Sequence, residues 1–81
     1  MNDNRERLTR CFSAVFPELN ERRIASASPK TVAAWDSIAT VTLVSVIEEE
    51  FGIGVEPAAF DRLVSFSSIL SYVEELTASS H

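Results

Sequence analysis

Asp36-Ser37-Ile38 opens an apolar run that closes on Glu48-Glu49-Glu50-Phe51. That pattern puts a serine hydroxyl at the mouth of an amphipathic helix. The first backbone N–H groups of a helix lack intrahelical acceptors, and the dipole is positive at that end. Both features favour a phosphate beside the serine. The chemistry suggested is a serine that carries a phosphate-linked group. A cutting serine fits poorly, because a Ser/His/Asp set would need His81, the only histidine, 44 positions further on at the last residue, where chains fray. A plain capping serine is the simpler alternative, and Asp36 could itself be the N-cap with Ser37 at the first helical position. The sequence has no Gly-rich phosphate loop and no HExxH motif.

The elements that must position this pair are helical. Leu8, Cys11, Phe12, Val15 and Phe16 recur at helical spacing and predict a first helix over 3–16, capped by Asn2 or Asp3 and stopped by Pro17. Residues 17–36 read as a long connection interrupted by Pro17, Asn20, Ser26, Ser28 and Pro29. Leu19 and Ile24 are expected to tuck onto the core, through a short helical turn around Asn20–Arg23. A second long helix is predicted over 37–51. Leu43, Ile47 and Phe51 face the core there, flanked by Val44 and Val46, with Gly52 as the stop. Ile38, Val41 and Ser45 form a separate stripe. A short helix follows over 57–63, with Pro57 in its first turn. Ser65 caps a last helix over 66–77, whose inward stripe is Phe66, Ile69, Leu70, Val73 and Leu76. Residues 78–81 form a loose tail. No strand alternation or repeat is present.

Composition narrows the function. The chain has 81 residues, 46% of them apolar, enough for one small domain with its own core. No apolar run approaches the ~20 residues of a membrane span. The polar start shows no signal-peptide pattern, so a soluble, cytoplasmic monomer is expected. One cysteine excludes an internal disulfide, and no metal-ligand spacing appears. Cys11 lies on the apolar stripe and reads as a buried thiol. Trp35 reads as an anchor for the loop end, and Arg22 and Arg23 as solubilising charges. Residues 1–35 carry four acids and six bases, whereas residues 36–81 carry eight acids and only Arg62 as a base. The half containing Ser37 is therefore acidic, which argues against nucleic acid as its partner and for a partner with a basic patch.

The segment from Asp36 to Phe51 resembles the recognition helix of acyl carrier proteins, whose motif is Asp-Ser-Leu or Asp-Ser-Ile before an apolar helix ending in Glu-Glu-Glu-Phe or similar. Length, helix order, the long first loop and the short third helix extend the resemblance over most of the chain. It implies an all-α, small four-helix bundle: three main helices, a short third helix and a long first loop. It also implies that Ser37 accepts a 4′-phosphopantetheine arm from coenzyme A, installed by a phosphopantetheinyl transferase and assisted by Asp36. The chain would then be a carrier and not an enzyme. Acyl cargo would hang from the arm as a thioester for an activating ligase, acyltransferase or ketosynthase.

The same resemblance places Ile38, Val41, Ser45, Glu48 and Glu49 on a docking face. Leu43, Val44, Ile47, Phe51, Leu63 and Ile69 become candidates for lining an acyl cleft. Carriers of fatty acid synthesis often have acids where this chain has Ala39 and Thr42, and Met where it has Ser45. Together with Trp35, these departures point to a specialised pathway. The alternatives are an aminoacyl or peptidyl carrier and a carrier-like interaction module that is never modified. Glu48, Glu49 and Glu50 also admit a reading as a merely solvated face.

Overall fold

A computed structural model describes residues 4–78. It is all-α, with no strand among the described residues. Helix α1 spans Asn4–Val15, α2 Glu21–Ala25, α3 Ser37–Phe51 and α4 Phe66–Ala78, with a 3₁₀ helix at Pro57–Arg62 between the last two. α1 is the centre of the packing and touches α2, α3 and α4.

The first helix ends where proline chemistry ends it. The Phe16 N–H still reaches Phe12 O at 2.7 Å, but Pro17 has no N–H to give and disfavours helical geometry in the residue before it. Leu8, Cys11, Phe12 and Phe16 are all buried, so the helical stripe seen in the sequence is the core face of α1. The proposed caps Asn2 and Asp3 lie outside the described residues, as do residues 79–81 with His81.

The long connection is a succession of short turns rather than open coil. Asn20 caps α2 by accepting the Arg23 N–H at 2.9 Å, and Ile24 is completely buried. Ser28 O then accepts the N–H groups of Thr31 and Val32, and the Trp35 N–H reaches Val32 O. Ala27, Val32 and Trp35 bury themselves along this path, and Leu19 packs partly against the core. The Phe66 N–H donates to Ala27 O at 3.0 Å, which ties the middle of the loop to the first turn of α4.

Three features differ from the pattern expected of the sequence. Residues 57–62 form a 3₁₀ helix with i→i+3 bonds such as Ala59 N–H to Glu56 O at 2.9 Å, the tighter form often found in connecting segments. Helix α4 runs one residue past the expected end, to Ala78. Its inward face includes Tyr72, buried beneath the Arg62 guanidinium at 5.2 Å, while Leu70 and Leu76 are only partly buried. Ser65 and Ser68 cap the helix reciprocally. Ser65 Oγ accepts the Ser68 N–H and Ser68 Oγ accepts the Ser65 N–H, both at 3.1 Å.

Cys11 is 3% exposed. Burial pushes its thiol up from 9.0 to about 11, with the nearby Glu50 charge adding to the shift. The folded protein therefore holds a proton that the unfolded chain releases above pH 9. Stability is expected to be unaffected by this group below pH 9 and to fall as pH rises from 9 towards 11. Urea titrations across that range should show a smaller decline in Cys11→Ala than in the parent.

Candidate functional site

The start of α3 is built by its own sequence. Asp36 has extended backbone (φ −100°, ψ −171°), and its Oδ1 accepts the Ala39 N–H at 2.8 Å. Asp36 is therefore the N-cap and Ser37 the first helical residue. Both are exposed. Among the described residues, the N–H groups of Ser37 and Ile38 meet no protein acceptor. The serine hydroxyl thus stands in solvent beside two free donors at the positive end of a 15-residue helix. A phosphodiester at Ser37 would find those donors and the dipole, so the residues present fit a phosphate-linked group.

A second layer holds this turn from below. The Trp35 indole N–H donates to Thr40 Oγ1 at 2.8 Å, and the Thr40 hydroxyl donates to Asp36 O at 3.0 Å. The Thr40 backbone N–H reaches the same carbonyl at 3.0 Å. Trp35 is 3% exposed and meets Phe12 edge-on at 5.4 Å and Phe16 at 5.9 Å. The sequence pattern marks Trp35 as an anchor and gives Thr40 no part. The available signal was a threonine four residues after the cap, where back-bonding to the i−4 carbonyl is common.

The stripe of Ile38, Val41 and Ser45 faces solvent: Ile38 is 77% and Val41 54% exposed, and Ser45 is exposed. The three glutamates at the end of α3 have separate environments. Glu48 is half-buried and its Oε2 accepts the Val55 N–H at 2.8 Å. Glu50 pairs with Arg7 at 2.9 Å. Only Glu49 is exposed without such a bond. Arg7 also donates to Glu50 O and lies 4.5 Å over the Phe51 ring. It places a cation against the negative end of α3, offsetting acids that are unfavourable there. No local spacing in the sequence could have paired residues 43 positions apart.

Of the cleft candidates, Leu43, Val44, Ile47, Leu63 and Ile69 are buried in the core, and Phe51 packs partly against it. Two grooves of the described surface are bordered by other residues. One of about 260 Å³ is bordered by Val46, Glu49 and Glu50, and one of about 460 Å³ by Ser28, Pro29, Lys30 and Val64. Among the described residues, no cluster of His, Cys, Asp and Glu could hold a metal ion, and no helix is long and apolar enough to cross a membrane.

A family model described as phosphopantetheine attachment site matches residues 33–73, just over half of the chain. The matched span contains Trp35, Asp36, Ser37 and Thr40. Comparison with curated proteins and with solved structures gives no significant match.

Removing the Asp36 cap should destabilise the fold measurably. Asp36→Ala is expected to cost about 0.5–2 kcal/mol in urea unfolding, and Asp36→Asn much less.

Proposed function

Since the chain belongs to the phosphopantetheine-attachment family, whose domains hold covalent 4′-phosphopantetheine and carry substrates without catalysing their reactions, we propose that it is an acyl carrier protein loaded at Ser37. The observation that carries this reading is the exposed Ser37 hydroxyl at the first position of α3, behind the Asp36 cap and inside the matched span. In the loading step Ser37 Oγ bonds to the pantetheine-bearing phosphorus of coenzyme A. The pyrophosphate P–O bond breaks, adenosine 3′,5′-bisphosphate leaves with the bonding pair, and the serine proton passes to a base of the transferase. Asp36 has one carboxylate oxygen committed to the cap and the other without a hydrogen bond among the described residues, which leaves it able to assist this transfer. Once attached, the arm supplies a terminal thiol that holds the acyl group as a thioester.

Carrier domains of this kind interact with phosphopantetheinyl transferases and biosynthetic enzymes. Here Ile38 and Val41 form the apolar centre of the docking face, with Ser45 beside them and Glu49 at its acidic end. Glu48 contributes less to docking, because its carboxylate holds the Val55 N–H. A neutral front, with Ala39 and Thr42 in place of acids, suits enzymes of a specialised acyl pathway that recognise shape and apolar contact more than charge. The packed state of Leu43, Val44, Ile47, Leu63 and Ile69 means that an acyl chain sheltered inside must displace core side chains.

Intact mass after incubation with coenzyme A and a broad-specificity phosphopantetheinyl transferase tests the site. The parent should gain one phosphopantetheine and Ser37→Ala none; a gain in the variant would refute Ser37. Val41→Asp should weaken enzyme docking while costing less than ~1 kcal/mol of stability, the usual range for an exposed position. Binding and melting measured together check both halves of that statement.

A further inference from the structure

We propose that Trp35 and Thr40 are positioning residues for arm attachment, acting through the peptide unit that joins Asp36 to Ser37. The inference rests on Ser37 being the attachment site. That peptide unit ends on one side at the Ser37 nitrogen and on the other at the Asp36 carbonyl. Its carbonyl receives two hydrogen bonds, both from Thr40: the backbone N–H and the hydroxyl, each at 3.0 Å. The hydroxyl can donate in that direction because its acceptor side is taken by the Trp35 indole N–H at 2.8 Å. The indole cannot turn away, since it is buried against Phe12 and Phe16.

A chain of fixed donors therefore runs from the aromatic core to the peptide plane that sets the direction of the Ser37 side chain. Thr40 is half-buried and Trp35 buried, so both act beneath the surface that an enzyme touches. Their contribution is to hold the nucleophilic oxygen in one orientation, and misplacing a reacting atom is costly to rate. Helix propensity does not explain the arrangement: threonine is a poor helix former, and a hydroxyl bonded back to the i−4 carbonyl is mildly destabilising.

The test uses the full chain, coenzyme A and the transferase, with steady-state kinetics followed by intact mass. It is run at a temperature where melting curves show every variant folded. Thr40→Val keeps the shape and removes the hydroxyl; Trp35→Phe keeps the ring packing and removes the indole donor. Each is expected to lower kcat about fivefold to tenfold, the scale of one or two lost hydrogen bonds, with KM little changed. Thr40→Ser should restore the rate to within about twofold, since it returns the hydroxyl without the methyl. The double variant should be no slower than the worse single one, because both break the same chain. Amide hydrogen exchange at Thr40 in the unloaded protein should quicken in Thr40→Val and recover in Thr40→Ser. A Thr40→Val rate equal to the parent, or a Thr40→Ser rate as low as Thr40→Val, overturns the proposal while leaving Ser37 as the site. A parent that gains no arm, or gains it at another residue, overturns the site and this inference with it.

Discussion

The ring of Phe12 is the constraint around which the fold is arranged. It is completely buried and meets Trp35 at 5.4 Å, Phe66 at 5.1 Å and Phe16 at 6.2 Å. Those partners come from the end of the long connection, the first turn of α4 and the end of α1. One side chain thus fixes three places where the path of the backbone changes. Such aromatic pairs contribute about 0.5–1.5 kcal/mol each beyond the area they bury. They are also directional, and that matters more here. Because Trp35 must sit edge-on against Phe12, the residues that follow it leave the core at one place, and α3 begins there with Asp36 and Ser37 outward.

Periodicity made the bundle legible because each long helix buries one stripe against a shared core. Leu8, Cys11 and Phe12 in α1, or Ile69 and Val73 in α4, are of that kind. The sequence offers both Asp36 and Ser37 as the cap of α3, and the structure selects Asp36, whose carboxylate satisfies a donor three residues away. What could not be read depends on contacts between distant segments. Arg7 with Glu50, and Phe66 with the Ala27 carbonyl, are examples. Tyr72 lies off the main stripe and is buried because Arg62, from the 3₁₀ helix, closes over it. The connection before α3 shows one helical turn and two anchors, Ile24 and Trp35, in its sequence; its other turns are not legible because they bury single residues, Ala27 and Val32, and single residues leave no period.

The charge asymmetry of the chain takes on a different meaning in three dimensions. The basic segment 1–35 and the acidic remainder meet where Arg7 lies against the end of α3. There the run of three glutamates is divided by use: one holds the following loop, one binds α1, and one is left to solvent. An acidic cluster in sequence is thus a weak guide to surface charge, because helix ends and neighbouring loops consume carboxylates as hydrogen-bond acceptors. The exposed hydrocarbon of Ile38 and Val41 has no such internal use.

The burial of Cys11 bears on the fate of a thioester. Acyl groups on sulfur migrate readily to another thiolate within reach, and a carrier with a competing thiol would lose cargo to its own side chain. This chain contains one cysteine. It is enclosed in the core and stays protonated well past neutrality, so it is a poor nucleophile. The only sulfur able to exchange on a loaded molecule would be the one at the tip of the arm. With the arm on Ser37 as proposed, the burial of Cys11 in α1 would keep a thioester from passing to the protein's own side chain.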